Sequence, residues 1–169
     1  MQKISPFLWF DKEAEEAMNF YISVFAGSPH KSGDSRVTDI ARYEEGMDVP
    51  GMPEMTGKVI TATFELNGQR FMALDGGPAF KFTEAMSLHV ECEDQKEVDY
   101  FWGKLSAVPE AEQCGWLKDR FGLSWQIIPR QLAELMGDPN HTKAMAATNA
   151  MLKMKKIVIA DLKTAFDQA

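Results

Sequence analysis

The chain says the same thing twice. Residues 4–25 (ISPFLWFDKEAEEAMNFYISVF) read as a short apolar strand, an acidic turn and an amphipathic helix, and residues 86–105 (MSLHVECEDQKEVDYFWGKL) read the same way. Each half then closes on a hairpin, VITATFELNGQRFMALD around Asn67-Gly68 and GWLKDRFGLSWQIIP around Phe121-Gly122. Few folds accommodate such a pattern. It predicts two copies of one α+β unit facing each other across a shared cleft, and so a fold and a pocket but not a reaction.

Local signals fill in the units. In the first helix Ala14, Ala17, Met18, Tyr21 and Phe25 recur at three- and four-residue steps, so one face is buried. Asp11 is placed to cap it, with Glu13, Glu15 and Glu16 in its early turns, where the helix dipole favours negative charge. A strand is expected over Val37–Glu44, and a hairpin of Val59–Leu66 and Arg70–Leu74 about Asn67-Gly68, a dipeptide that tolerates positive φ. The second unit opens with a strand at Ser87–Glu91 and a helix from Asp94 to Leu105. The helix-to-hairpin spacing is much longer in the first half, which there contains the Met-rich loop EGMDVPGMPEMTGK. After Pro129 come a helical turn, a breaker at Gly137-Asp138-Pro139 and one long helix from Thr142 to Phe166, with Met145, Thr148, Leu152, Ile159, Leu162 and Phe166 along one stripe.

Composition excludes more than it assigns. A formal net charge of −7 argues against a nucleic-acid backbone as partner, and the one basic cluster, Lys153, Lys155 and Lys156, reads as a solvated helix face. No apolar run approaches a membrane span, and MQKISPFLWF enters a strand pattern without a signal-peptide architecture. A cytoplasmic protein is therefore expected, with Cys92 and Cys114 as reduced thiols and small hydrophobes. No Ser-His-Asp order, His-Glu-x-x-His, P-loop or nucleophile elbow is present.

Taken together, FLWFDKEAEEAMNFYISVF, FMALDGGPAFKF, SLHVECEDQKEVDYFW, CGWLKDRFGLSWQIIP and AMLKMKK resemble the PhnB-like branch of the glyoxalase/bleomycin-resistance superfamily. These are the vicinal oxygen chelate proteins, and the branch also carries the label 3-demethylubiquinone-9 3-methyltransferase-like. The resemblance implies an α+β fold of two βαβββ modules, residues 1–85 and 86–130, whose curved mixed sheets surround a cup. Residues 131–169 then form a C-terminal helical extension, and a homodimer is implied.

Enzymes of that superfamily place one metal ligand on each of four strands. Carried over strand by strand, those positions fall near Ser5 or Pro6, at Ala73, at Met86 or Ser87, and at Gln126. Only Gln126 is of a ligating type, whereas a divalent ion needs several anionic or imidazole donors. The expectation is a cup without a metal ion and without a cofactor. Methyl transfer also lacks support in the residues. No Gly-rich run follows a strand, and Gly76-Gly77-Pro78 reads as a strand terminator.

The candidate pocket residues are Phe7, Trp9, Ala73, Asp75, Phe80, Ser87, Ser124 and Gln126, with Met47, Met52 and Met55 as a soft lid. Asp75 reads first as a turn cap before Gly76, and Trp125 and Phe82 complete the aromatic set. His89 alternates with Ser87 and Glu91, opposite Leu88, Val90 and Cys92, and is the candidate acid/base residue. The expected function is the binding of a small apolar or aromatic molecule. An enzyme of unknown substrate using His89, or an interaction protein whose cup is filled by its own aromatics, are the alternatives.

Overall fold

The computed structural model describes residues 3–47 and 49–169, which fall into two compact units, one ending at Phe82 and the other beginning at Thr83. The first unit runs β1 (Phe7–Phe10), α1 (Ala14–Ala26), β2 (Arg36–Arg42), β3 (Val59–Leu66) and β4 (Gln69–Asp75). Its four strands lie in the order β1-β4-β3-β2, with β1 parallel to β4 and the other pairs antiparallel. Asn67 and Gly68 take φ of 48° and 80°, the positive values a two-residue hairpin turn requires.

Helix α1 buries the expected stripe, with Val24 added. Its start is held differently from the expectation. Asp11 does not cap it, and Glu13 occupies the cap position without a side-chain bond to the helix N–H groups. The N–H of Ala14 instead donates to Asp75 Oδ1 at the end of β4 (2.8 Å), and Val59 N–H donates to Asp75 Oδ2 at the start of β3 (2.9 Å). A carboxylate distant in sequence thus satisfies a helix-terminal N–H, ties three elements at one point, and is itself 1% exposed. Strand β2 is pinned on the outside by a two-pronged Arg42–Glu15 pair (2.6 and 2.7 Å), which holds the Glu15 carboxyl below its ordinary range.

The second unit runs β5 (Ser87–Cys92), α2 (Gln95–Leu105), β6 (Trp116–Lys118) and β7 (Ser124–Pro129), then α3 (Arg130–Met136), α4 (His141–Met151) and α5 (Ile159–Asp167). Its sheet has the order β5-β7-β6, with β5 parallel to β7. The expected βαβββ pattern is therefore βαββ among the described residues. The counterpart of β2 is missing because residues 106–115 hold only a 3-10 turn at Pro109–Ala111 before the hairpin begins. Asp94 caps α2 by accepting from Glu97 N–H (2.9 Å), and Glu97 reaches back to Glu93 N–H (2.8 Å).

The long C-terminal helix of the sequence reading is two helices. Residues 152–158 leave helical geometry because tertiary partners claim their backbone. The carbonyls of Met154 and Lys155 accept from Cys114 and Gly115 N–H, each at 2.8 Å. The Gln95 amide brackets Ile157 O (3.1 Å) and Ile159 N (2.8 Å). The β-branched run Ile157-Val158-Ile159 also resists helix. The break resets the phase, so Met145 and Leu152 of the expected stripe are exposed while Ala144, Ala147, Ile157 and Leu162 are buried. Leu132, Ile157 and Leu162 form a core with Ile128, so the extension packs on its own second unit. Among the described residues, no helix is long and apolar enough to cross a membrane.

Candidate functional site

Side-chain alternation decides which sheet faces are open. Asp75 points to the start of α1, so by the two-residue period Ala73 and Phe71 face the helix too. Their register partners Leu8, Phe10, Ala62 and Phe64 share that face, and all are buried. Phe7, Trp9, Met72 and Leu74 lie on the other face, which α1 does not cover. Ala73 thus leaves the expected pocket set, while Asp75 stays only as a lining residue of a groove beside the start of α1. Both belong to the helix-covered core, where Ala73 is 0% exposed and Asp75 is a structural anchor.

Trp9 is fixed on the open face. Its Nε1–H donates to Gly77 O (2.9 Å), and Phe80 packs edge-on against the ring, with centroids 5.0 Å apart at 82°. Gly76 lies flat under the indole, and a Cβ there would fall 2.2 Å from Trp9 Cζ2. Gly76→Ala is therefore expected to push the indole out of its seat and cost about 1–3 kcal/mol, read as a lower denaturation midpoint with altered Trp fluorescence. The N–H groups of Gly76 and Gly77 donate to Phe10 O (2.9 Å) and Asp11 O (3.1 Å). They are spent on backbone and do not cradle a phosphate. Phe7 and Phe80 are 52% and 66% exposed; Phe80 packs on the tethered indole, and Phe7 lies two residues before Trp9 on the same strand face.

The Met-rich loop splits among three roles. Met55 is 3% exposed and belongs to the core, which removes it from the expected lid. Met52 packs its thioether against Gly77, beside a depression of about 300 Å³ lined by Asp11, Lys12, Pro53 and Pro78. Met47 is half exposed. A larger groove of about 520 Å³ runs along the N-terminal turn of α1 between Lys12, Glu15, Asn19 and Lys58. Its lining is polar and includes Asp75, the one candidate pocket residue found there.

In the second unit, Cys92 and its alternating neighbours face α2. The Cys92 thiol is fully buried, and burial, reinforced by the nearby Glu97, Asp94 and Glu91 carboxylates, pushes it far above its ordinary range. The expected inert role follows. Trp125 lies in the same core, donating its Nε1–H to Asp119 Oδ2 (2.8 Å), rather than lining an open face. Ser87, His89 and Glu91 take the opposite face, together with Ser124 and Gln126 of β7 and Trp116 and Lys118 of β6. Gln126 Nε2–H donates to Ser87 Oγ (2.8 Å), and His89 is exposed beside Gln126.

One residue missed from the sequence organises this hairpin. Asp119 Oδ1 accepts from Phe121 N–H (2.8 Å) and Leu123 N–H (3.0 Å), while its other oxygen holds Trp125. An aspartate three residues before Gly122 was the available signal, since such side chains fold back on their own turn.

The chain matches the 3-demethylubiquinone-9 3-methyltransferase family over residues 2–128. A putative 3-demethylubiquinone-9 3-methyltransferase, PhnB protein, from Bacillus cereus is 41% identical, over 76% of this chain and 99% of that one, with a TM-score of 0.60. The chain belongs to this PhnB-like family. Protein PA1353 from Pseudomonas aeruginosa shares the fold at 19% identity, covering 76% of this chain and 98% of that one, with a TM-score of 0.54. A lactoylglutathione lyase from Agrobacterium tumefaciens aligns at 18% identity over 78% and 95% of the two chains, with a TM-score of 0.38. No curated protein matches. Helices α3–α5 of this PhnB-like protein lie beyond the matched family region.

The divalent ion that the superfamily resemblance implies does not fit the residues present. Ala73 faces α1 and has no donor atom, and Gln126 and Ser87 offer a neutral amide and hydroxyl already bonded to each other. Among the described residues, no three His, Cys, Asp or Glu side chains gather as a metal centre.

Proposed function

We propose that this PhnB-like protein is a binding protein for a small apolar or aromatic molecule, held without a metal ion. One observation carries the reading, the open face of the first sheet. There Trp9 is fixed by Gly76 and Gly77 and packed by Phe80, and it shares its strand face with Phe7, both phenylalanines being more than half exposed. Large exposed aromatics beside an indole that is hydrogen-bonded at its one polar atom form an apolar platform rather than a scatter of surface residues. His89 stands exposed on the polar face of the other sheet, and among the described residues no hydrogen bond positions it in the way Trp9 is positioned for contact.

The test replaces the platform without touching the core. The double substitution Phe7→Ser and Phe80→Ser is expected to leave the fold intact, because both rings are largely in solvent. It should weaken binding of naphthalene by at least about tenfold, from the apolar area lost. Equal affinity of the wild type and the double variant, measured by thermal shift and titration, would remove the platform from the proposal.

A further inference from the structure

The open face of the second sheet holds a buried hydroxyl with nothing to bond. Ser124 is 1% exposed, and among the described residues its Oγ has no hydrogen-bond partner. Buried polar atoms are rarely left this way, and those that are call for an explanation such as a functional role. Its neighbours across the sheet can both donate. Ser87 lies in register on β5 and Lys118 on β6. Gln126 Nε2–H donates to Ser87 Oγ, which uses that oxygen as an acceptor and leaves the Ser87 proton to donate elsewhere. Lys118 is paired with Glu84, whose side chain is 62% exposed, so its present partner is a surface carboxylate of the replaceable kind. Trp116, half-buried, sits beside Gln126 in register on the same face.

We propose that Ser124, Ser87 and Lys118, with Gln126 orienting Ser87, form a subsite for the carboxylate of a small organic acid whose apolar body lies against Trp116. Two hydroxyls free to donate and an ammonium make a set with three donor groups and a positive charge, which favours an acceptor-rich anion over a neutral hydroxyl or amide. Neighbouring strands lie about 4.8 Å apart, so a single carboxylate reaches the hydroxyls of Ser87 and Ser124 together. In binding, it takes over from Glu84 as the partner of Lys118. The inference rests on the reading of the protein as a small-molecule binder and uses residues of the second unit alone.

Titration of the full chain with 2-naphthoate and with naphthalene tests it. The wild type is expected to bind 2-naphthoate at least about tenfold more tightly than naphthalene, from charge-assisted bonds. Ser124→Ala removes only the orphaned hydroxyl, so its melting temperature should stay level or rise, while the advantage of the acid falls about tenfold and naphthalene binding is unchanged. Lys118→Met, a substitution at a partly exposed position, should reduce the same advantage. A wild type that binds both compounds equally, or a Ser124→Ala variant with full 2-naphthoate affinity, overturns the subsite and leaves the binding reading standing. Failure of both compounds to bind the wild type overturns the binding reading itself, and the subsite with it.

Discussion

Asp119→Ala is expected to destabilise the second unit by about 4 kcal/mol, the largest effect of any single substitution considered. Three donors converge on this carboxylate, the Phe121 and Leu123 N–H groups and the Trp125 indole. The side chain is 1% exposed and so is Trp125, so water cannot substitute easily. Each donor left unsatisfied in such a place costs about 1–3 kcal/mol, and losing the turn that aligns β6 with β7 adds to it. A fall of roughly 10 °C in melting temperature follows for a chain of this size. Asp119→Asn keeps one accepting oxygen and turns an NH₂ toward a donor, so it should fall between the wild type and Ala. A denaturant midpoint for Asp119→Ala within 1 kcal/mol of wild type would show that the hairpin does not depend on this residue.

Asp75→Ala follows with an expected loss of about 3 kcal/mol, because two backbone donors from different elements lose their partner at once. The carboxylate joins the first turn of α1, the start of β3 and the end of β4. Its loss should therefore loosen the point where the helix meets the sheet rather than one local turn. Hydrogen exchange is the readout that separates the two, with the amides of Ala14 and Val59 losing protection before the centre of β3. Tyr43 Oη–H donates to Asp75 O (3.3 Å) and is unaffected by the side-chain change. Asp75→Asn retains one of the two bonds and should cost about half as much. Unchanged protection at both amides would mean that α1 is anchored by packing alone.

These two aspartates also show what the sequence could and could not reveal. The repeat itself, the α1 stripe and the Asn67-Gly68 hairpin were legible because their signals are local. Side-chain period, capping chemistry and positive-φ residues act over a few positions. Asp75 as the cap of α1 was not legible, because the helix and its cap lie on opposite sides of β2 and β3 in sequence. The break at residues 152–158 was hidden for the same reason, since Gln95, Cys114 and Gly115 claim that backbone from far upstream. The fourth strand of the second module was implied by the family resemblance alone, and the short 106–115 segment had no room for it.

The candidate site divides along the same line. Phe7, Trp9 and Phe80 were placed together from composition, and the structure holds Trp9 and Phe80 in ring contact. Ser87 and Gln126 were placed on one face by alternation, and a hydrogen bond joins them. Ala73, assigned by carrying a metal-ligand position across strands, lies one residue out of phase with the open face, where Met72 and Leu74 stand instead. Met55 reads as a lid residue from its loop alone, yet only three-dimensional packing shows it buried.

The central claim is that the protein binds a small apolar or aromatic molecule without a metal ion, and a thermal-shift titration with naphthalene, run with and without a chelator, tests it most directly. A ligand that binds only the native state stabilises it by about 2.7 kcal/mol at a hundredfold excess over Kd. The account predicts a dose-dependent rise in melting temperature that is the same with EDTA present. No rise at any accessible concentration, or a rise that EDTA abolishes and a divalent ion restores, would contradict it.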